Sequence, residues 1–389
     1  MGLKGTRMHK VIIVGRGLFG SAATRHLAER SDGILCVGPN EPKNRQTHTG
    51  IFGSHYDEGR MTRVVDPVSE WVVAAKNSID RYADLEKRSG IKFFTSSGYL
   101  GIGDPTSDYN ESCAAAGAKV GVAIQKLSPA EIRSKFPFLS VDNNSDGLLE
   151  TETAGHVSPR AMVLAQTKLA EMAGAISVFD QATKIFHTSK GVEIELASGK
   201  TLKSEKVIIA TGGFTSACGL SPVDLNLRVF GRTVVLAKIQ GSLIKELSKM
   251  PTIIHCKSGA YILPPIRYPD GNIYLKLGIG TNSDTTFETL EDLQAWFKGK
   301  GSEENRREFS EFILNLIPSL SICANWHTDT CVVTQTQNGL PIIRYVDEGK
   351  IVVAVGGNGK GAKGADEWGK VAADIISSCL LYTSDAADE

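Results

Sequence analysis

The sequence lacks an excess of either charge, and it has no long apolar run. Its 389 residues include 43 basic and 43 acidic side chains, so the formal net charge is zero. Without a basic excess there is no general attraction to nucleic acid or to an anionic membrane surface. Apolar runs such as Val11–Val14 and Ile351–Val355 have strand length, well short of the roughly 20 residues of a membrane helix. We therefore expect no nucleic-acid partner and no membrane segment.

Cysteine is sparse and shows no pattern. The seven cysteines are scattered and odd in number, and none belongs to a CxxC pair. This argues against a disulfide framework and against a zinc site, so no metal is predicted and a reducing compartment, the cytoplasm, is expected. The final stretch, 379–389, resembles translated adaptor DNA and is set aside as an artefactual tail. A peroxisomal signal at the natural C-terminus is therefore left open.

A glycine-rich turn lies between a predicted strand at His9–Val14 and a predicted helix that ends near Glu29. Gly15 permits the tight turn, Gly17 lets a pyrophosphate approach the backbone, and Gly20 lets the helix pack on the strand. The N-terminus of the helix favours phosphate charge. This GxGxxG unit predicts a dinucleotide site; a chance glycine turn is the alternative.

The second strand of this unit, Ile34–Val37, lacks the usual acidic residue at its end. An acidic side chain at that place normally binds a ribose hydroxyl. This chain has Gly38 there, with Glu41 three residues later. The unit alone therefore does not decide between FAD and NAD.

Two further apolar strands are followed by glycine. They are predicted at Lys206–Ala210 and at Ile351–Val355, and the second runs into a loop with five glycines in nine residues. Such density indicates a backbone pressed against a flat or bulky ligand. The residues assigned to ligand binding in these segments are Thr211, Gly212, Gly359, Gly361 and Lys363.

The predicted fold class is α/β, in an α+β two-lobed arrangement. A Rossmann-like domain is assembled from discontinuous pieces, and a β-rich substrate domain is inserted between them. Phe230–Ile239 and Tyr261–Ile279 read as β ribbon of the inserted domain, with a turn signal at 269–272. The Rossmann-like domain is assigned to 1–91, 155–224 and 330–378, and the inserted domain to 92–154 and 225–329.

Four side chains outside the glycine motifs are candidates for chemistry. Arg60 and Arg63 share one loop, where paired guanidinium donors suit a phosphate or a carboxylate; a solvated surface loop is the alternative. Lys276 alternates with apolar neighbours in the ribbon, and this pattern alone favours a solvent-exposed lysine. Cys331 begins an extended segment, where a lone cysteine is usually a small buried hydrophobe.

Taken in order, these motifs resemble the monomeric sarcosine oxidase and N-methyl amino acid oxidase group of the FAD-dependent, D-amino-acid-oxidase-like (DAO) superfamily. The resemblance runs from about Lys10 to Ser378. It implies FAD as cofactor, a small amino acid or N-methyl amino acid as substrate, and a monomer. In that group a hydride passes from the carbon beside an amine nitrogen to the flavin, the imine hydrolyses, and oxygen is reduced to hydrogen peroxide. The matching residues are Gly15, Gly17, Gly20, Ser54, His55, Arg60, Arg63, Thr211, Gly212, Lys276, Cys331, Gly359, Gly361 and Lys363.

The resemblance also implies roles for these candidates. Lys276 and Arg60 match cations beside the flavin that assist the reaction with oxygen, by stabilising developing negative charge. Arg63 and Lys363 match the pair that binds the substrate carboxylate and so orients the reacting carbon. Cys331 matches a cysteine joined to the 8-methyl carbon of the flavin. Covalent attachment and an unreacted buried cysteine both stay open.

The chain departs from the group at positions that shape the substrate cavity. Tyr56 stands where the group often has a second histidine, Val333 stands in place of an aromatic residue, and Gly280 in place of a histidine. These departures favour an amino acid other than sarcosine, such as a bulkier one. Gly38 in place of the ribose-binding acid indicates a different contact to the adenosine.

Three alternatives to an oxidase follow from the same residues. The first is an FAD-dependent amino acid dehydrogenase that passes electrons to a quinone or a carrier protein. The second is a non-catalytic flavoprotein that serves as an assembly or interaction subunit. The third, an NAD-dependent dehydrogenase, is disfavoured because two further glycine-rich strand ends exceed what one Rossmann unit needs.

Overall fold

The computed structural model describes residues 8–104, 106–281, 284–323 and 325–378, and the tail 379–389 lies outside them. The described strands are β1 (Met8–Val14), β2 (Ile34–Val37), β3 (Arg60–Thr62), β4 (Phe94–Thr95), β5 (Tyr99–Ile102), β6 (Ile124–Leu127), β7 (Gly147–Glu150), β8 (Gly155–Val157), β9 (Ile176–Val178), β10 (Ala182–Thr188), β11 (Gly191–Leu196), β12 (Thr201–Ile209), β13 (Arg228–Lys238), β14 (Thr252–His255), β15 (Ala260–Arg267), β16 (Ile273–Gly278), β17 (Trp326–Gln335), β18 (Ile342–Tyr345) and β19 (Ile351–Val355).

The described helices are α1 (Leu18–Ala28), α2 (Ser69–Ser89), α3 (Tyr109–Ala118), α4 (Pro129–Lys135), α5 (Pro159–Met172), α6 (Phe214–Ala217), α7 (Ser242–Glu246), α8 (Leu290–Lys298), α9 (Glu303–Leu316) and α10 (Ala365–Ser378), with a 3-10 helix at Pro318–Ile322. Within the described residues, none of these helices combines the length and the apolar character that a membrane span requires.

The first sheet has a parallel core in the order β19-β12-β1-β2-β9. The β10–β11 hairpin extends it from the first half of β12, and β18 pairs antiparallel with β19. Strand β1 is apolar on both faces because both faces are covered. Val11 and Ile13 pack with residues of α1 and α10, whereas Ile12 and Val14 pack with the cluster that contains Ile194.

The second sheet has the order β17-β13-β16-β15-β14-β5-β7-β6, and β14 with β5 is its parallel pair. Phe309 and Ile313 of α9 are fully buried and belong to the core cluster of this sheet. The predicted turn at 269–272 joins β15 to β16, where the amide of Tyr268 donates to the carbonyl of Asn272 over 2.9 Å. Strand β17 pairs with β13 from Trp326 to Gln335, across the position 330 at which a domain boundary is predicted.

The three strands that are followed by glycine are neighbours in the parallel core. Strands β1, β12 and β19 lie side by side, so their carboxyl ends meet at one edge of the sheet. Ligands of such sheets bind in the crevice outside the carboxyl ends of the strands. The fold therefore brings Gly15, Thr211 and Gly356 to one place, although 341 residues separate the first from the last in sequence numbering (356 − 15).

Candidate functional site

A cavity of about 390 Å³ lies at the carboxyl ends of β1, β12 and β19. It is lined by most of the residues that the sequence motifs select. Those are Gly15, Gly17, Ser54, His55, Arg60, Arg63, Thr211, Gly212, Cys331, Gly359, Gly361 and Lys363. Two selected residues, Gly20 and Lys276, do not line this cavity, and each lies close to it for a different reason.

The glycines of the first turn have distinct geometric roles. Gly15 has φ of +110°, and a Cβ there would lie 2.3 Å from the carbonyl oxygen of Ala210, on the neighbouring strand end. A Cβ on Gly20 would lie 1.8 Å from the carbonyl oxygen of Gly15, so Gly20 makes the close packing of helix on strand. A Cβ on Gly17 would find only His55 Nδ1, at 3.7 Å. Gly17 thus leaves room for a ligand at the N-terminus of α1.

Arg63 is a buried cation at the cavity wall. The residue is 5% exposed, and the guanidinium lies 4.6 Å over the ring of Tyr99. It also donates a hydrogen bond to the hydroxyl of Tyr109, at the start of α3. Its Nε is buried and has no hydrogen-bond partner among the described residues. An orphaned donor at a cavity wall is suited to an anionic ligand group.

Lys363 shares a buried carboxylate with its neighbours. Asp66 Oδ2 accepts from Lys363 Nζ at 2.8 Å, Asp66 Oδ1 accepts from Lys360 Nζ at 2.9 Å, and Arg63 Nη1 lies 3.9 Å from Asp66. Burial, followed by the charge of Arg63, lowers the pKa of Lys363 to about 7, and Asp66 opposes that change. Burial raises the pKa of Asp66, but the three cations outweigh it and hold the pKa below its usual value.

Sequence reasoning missed Asp66. The available signal was an acidic residue directly after the apolar pair Val64-Val65 and three residues after Arg63. A carboxylate in such surroundings is almost never fully buried unless it is paired. That rule points to a cation from elsewhere in the chain, and the structure places Lys363 and Lys360 in this role.

Lys276 is buried, and the exposure that strand alternation favours is wrong. The residue is 1% exposed. Its ammonium donates to the carbonyl oxygen of Gly59 at 3.1 Å and forms an ion pair with Asp57. It lines a small cavity of about 20 Å³, which shares Arg60 and Cys331 with the large one. Burial, followed by the charge of Arg60, lowers the pKa of Lys276, whereas the bonded Asp57 carboxylate favours its protonated form.

Arg60 and Cys331 lie against each other where the two cavities meet. Arg60 Nη2 is 3.5 Å from Cys331 Sγ and 3.0 Å from the carbonyl oxygen of Ser54. Arg60 also pairs with Asp57, so this carboxylate bridges Arg60 and Lys276. The sulfur of Cys331 therefore has a cation at its side, at the wall that the two cavities share.

His55 and Tyr56 are both uncharged at neutral pH. Burial, followed by the charges of Arg160 and Arg16, lowers the pKa of His55 to about 3. Burial raises the pKa of Tyr56 to about 12, and its ring packs edge-on against His55 with centroids 4.5 Å apart. His55 therefore offers the cavity a neutral hydrogen-bonding ring rather than a charge.

The departures from the expected pattern have physical consequences in the cavity. A Cβ on Gly280 would lie 2.8 Å from Arg232 Nη2, so the guanidinium of Arg232 occupies the space beside this glycine. Arg232 lines the cavity and pairs with Asp284 at 3.1 Å. A Cβ on Gly278 would lie 2.3 Å from the hydroxyl of Tyr261, which also lines the cavity. Sequence reasoning selected neither Arg232 nor Tyr261.

The cavity fits a dinucleotide that carries a bulky ring. It extends from the turn at Gly17 to the loop at Lys363. A side chain at position 17 would occupy space beside the cavity that the glycine leaves open. The helix N-terminus of α1 suits phosphate charge, and the buried orphan donor of Arg63 suits an anionic group at the other side. Among the described residues, no cluster of three or more histidine, cysteine, aspartate or glutamate side chains could hold a metal ion.

Curated proteins with related sequences are named as oxidases of N-methyl-L-tryptophan or as monomeric sarcosine oxidases. The chain is 25% identical to N-methyl-L-tryptophan oxidase of Citrobacter koseri over 211 residues, which are 54% of this chain and 55% of that protein. It is 29% identical to monomeric sarcosine oxidase of Bacillus sp. (strain B-0618) over 220 residues, which are 56% of this chain and 54% of that protein. The chain spans about half the length of the curated relatives it matches.

Solved structures share the fold over almost the whole chain. L-proline dehydrogenase from P. horikoshii superposes with a TM-score of 0.76 at 17% identity, covering 96% of this chain and 95% of that chain. Glycine oxidase from Geobacillus kaustophilus superposes with a TM-score of 0.73 at 21% identity, with the same coverage of 96% and 95%. At these identities the likeness shows the fold alone, and the predicted α/β fold class is confirmed.

Membership of a family rests on a match that covers nearly all described residues. The family described as FAD dependent oxidoreductase matches residues 10–375, from the first strand to the last helix, so this chain belongs to that family.

Proposed function

We propose that this protein oxidises the C–N bond of an amino acid or an N-methyl amino acid to an imine, with oxygen as electron acceptor and hydrogen peroxide as product. The observation that carries the proposal is the pair of buried cations, Arg63 and Lys363, at the wall of a cavity that suits FAD. The names of the oxidase relatives support the same reaction class. Water then hydrolyses the imine to a carbonyl compound and an amine.

FAD would be held by the glycine motifs. Gly15 and Gly17 would receive the pyrophosphate at the start of α1, and Gly20 keeps the helix close to the strand. The further assigned contacts are Ser54, His55, Thr211, Gly212, Gly359 and Gly361. When bound, the flavin supplies an acceptor for one hydride, which is two electrons and one proton, from the substrate carbon. We also propose the predicted two-domain division and a monomeric state.

The chain's own cations would orient the substrate. The substrate carboxylate would accept hydrogen bonds from Arg63 and Lys363, which fixes the neighbouring carbon relative to the cavity. Tyr99 and Tyr109 hold the guanidinium of Arg63, so little conformational freedom is lost when the substrate binds. On the other side, Lys276 and Arg60 would stabilise the negative charge that develops on oxygen. Cys331 beside Arg60 is the proposed point of covalent attachment for the flavin.

An FAD-dependent dehydrogenase is the second candidate, and one observation favours it. Lys276 does not line the large cavity, and its ammonium is bound by Asp57 and by the carbonyl of Gly59. An ammonium already engaged by a carboxylate stabilises a new negative charge less well. In that case electrons would leave to a quinone or a carrier protein instead of oxygen.

Anaerobic mixing of the purified holoprotein with a panel of amino acids and N-methyl amino acids tests the proposal. Loss of flavin absorbance with at least one compound, followed by peroxide formation in air, is the expected result. Reduction without peroxide would select the dehydrogenase. No reduction by any compound of the panel would overturn the proposed reaction and favour a non-catalytic flavoprotein.

A further inference from the structure

The side chain of Arg16, from the turn after β1, lies at the carboxyl end of β2, where a dinucleotide fold usually has an acidic side chain. The position of the acid is Gly38, and a Cβ there would lie 3.0 Å from both Cγ and the backbone nitrogen of Arg16. The side chain of Arg16, the second residue of the GxGxxG turn, therefore runs across the space that a side chain at 38 would need. Gly38 is the residue that admits it.

The guanidinium of Arg16 is held at the cavity wall by two contacts. It lies 4.2 Å over the ring of Phe179, which follows β9, and its Nη1 donates to Asn40 Oδ1 at 3.2 Å. The Nε atom is buried and has no hydrogen-bond partner among the described residues. Arg16 and Pro39 both line the large cavity. An oriented cation with an unused buried donor thus stands where the adenosine half of a dinucleotide is expected.

Glu41, the nearest acidic residue, is engaged elsewhere. Its two carboxylate oxygens accept hydrogen bonds from Nε and Nη2 of Arg160, each at 2.7 Å. Arg160 also pairs with Glu58. Glu41 is therefore committed to an ion-pair network and does not replace the acid missing at Gly38.

We propose that Arg16 binds the ribose hydroxyls of the adenosine half of FAD, donating hydrogen bonds in place of the usual carboxylate acceptor. A ribose hydroxyl both donates and accepts, so a donor can take over the contact that an acceptor normally makes. The exchange also reverses the local charge. A guanidinium attracts the pyrophosphate, whereas a carboxylate repels it, and this attraction is weakened by salt.

The test compares FAD with FMN, which lacks the adenosine half. The inference rests on FAD as the cofactor of the proposed function, but its readout is cofactor affinity rather than turnover. Affinities are measured on apoprotein by flavin fluorescence. If acid precipitation leaves the flavin on the polypeptide, parent and variants all carry Cys331→Ser. Absence of amino acid oxidation would then leave the outcome of this test unaffected.

Arg16→Ala should weaken FAD binding by about ten- to a hundredfold, the effect of losing a hydrogen bond from a charged donor. Its affinity for FMN should match that of the parent. Arg30→Ala is the control, because Arg30 lies just beyond the end of α1 and pairs with Asp374 on the surface. Equal FAD affinity in the two variants, or an equal loss for FAD and FMN, would overturn the proposal, as would failure of the parent to bind FAD.

A charge swap gives a second, independent readout. Gly38→Glu alone should weaken FAD binding because its side chain collides with Arg16. The double variant Arg16→Ala with Gly38→Glu should bind FAD more tightly than either single variant, since the carboxylate then regains the usual ribose contact. High salt should weaken FAD binding more in the parent than in the double variant. A double variant that is weaker than both single variants, with the same salt dependence as the parent, would refute the assigned contact.

Discussion

Asp66 Oδ2 lies 2.8 Å from Lys363 Nζ, and both side chains are buried beside Arg63. The proposed carboxylate-binding pair therefore has a counter-anion of its own. This carboxylate offsets part of the cost of burying two cations, and it holds the ammonium of Lys363 in place. It also competes with the substrate carboxylate for the same donors, so substrate binding depends on how the pair titrates.

The first prediction concerns the pH dependence of substrate binding. The pKa of Lys363 is lowered to about 7, mainly by burial and Arg63, and Asp66 raises it. An ammonium binds a carboxylate only below its pKa, so KM should rise as pH increases through that value. Asp66→Asn removes the raising charge, and the increase in KM should then begin at a lower pH. The measurement is KM and kcat against pH with one amino acid substrate.

Lys360→Met is the matched variant, and it should shift the pH dependence of KM in the opposite direction. The charge of Lys360 lowers the pKa of Lys363, so its removal should move the increase in KM to a higher pH. The Lys360 side chain is 34% exposed, which makes this change easier to tolerate. Two variants whose profiles coincide with that of the parent would show that Lys363 does not control substrate binding.

The second prediction separates folding from cofactor binding within one turn. Gly20→Ala places a methyl group 1.8 Å from the carbonyl oxygen of Gly15 and should lower the free energy of unfolding by about 3 kcal/mol or more. Gly17→Ala has its nearest contact at 3.7 Å, so the unfolding free energy of the apoprotein should change by less than about 1 kcal/mol. Its affinity for FAD should nevertheless fall, because the methyl group occupies space beside the cavity.

Denaturant unfolding of the apoproteins and FAD titration together check this pair. The expected result is that Gly20→Ala lowers mainly the free energy of unfolding, whereas Gly17→Ala lowers mainly the affinity for FAD. A Gly17→Ala protein that binds FAD as tightly as the parent would remove the close approach of the pyrophosphate from the proposed site.

Local signals account for what could be predicted from the sequence. The turn from Gly15 to Gly20 lies between a strand and a helix that are adjacent in the chain, so spacing alone indicated its geometry. The apolar strands at 206–210 and 351–355, each followed by glycine, indicated two further strand ends close to a ligand. Their side-by-side placement with β1 is a finding of the structure.

The parts that could not be predicted depend on contacts between distant segments. Strand alternation assigns Lys276 to the less apolar face but does not reveal that Asp57 and Gly59 cover that face. The ion pair of Asp66 with Lys363 joins residues 297 positions apart. Arg232 occupies the space beside Gly280 from another strand, so the departure at 280 indicated a changed cavity without showing what fills it.

The third prediction tests the proposed role of Lys276. Lys276→Met keeps the volume but removes the charge, so FAD binding and reduction by substrate should persist. The reaction of the reduced holoprotein with oxygen should slow by about a hundredfold, the usual effect of losing a group that stabilises a developing anion. Rapid mixing with oxygenated buffer measures this rate.

Lys257→Met provides the control for a lost positive charge. Lys257 is 69% exposed and contacts Asp104 at 3.6 Å, on the loop between β14 and β15. Its removal should leave the oxygen reaction unchanged. If Lys276→Met also reacts with oxygen at the parent rate, the assigned role is wrong and the dehydrogenase becomes the better proposal.

The fourth prediction uses the substrate rather than a second variant as its control. Arg63→Met removes the guanidinium that Tyr99 and Tyr109 hold, and should raise KM for an amino acid by about ten- to a hundredfold. For a matching amine without a carboxylate, the same variant should show little or no increase in KM. Steady-state kinetics with both compounds decide the matter, since an equal loss for both would indicate a structural rather than a carboxylate-binding role.

The last prediction concerns covalent attachment of the flavin. Cys331 Sγ lies 3.5 Å from Arg60 Nη2 and lines both cavities, so it is within reach of a flavin bound in the large cavity. Acid precipitation of the parent should leave the yellow colour with the polypeptide, and Cys331→Ser should release it. Cys218→Ser is the control, because burial raises the pKa of the Cys218 thiol to about 11 and keeps it protonated. Release of the colour from the parent itself would make Cys331 an unreacted cysteine of the cavity wall.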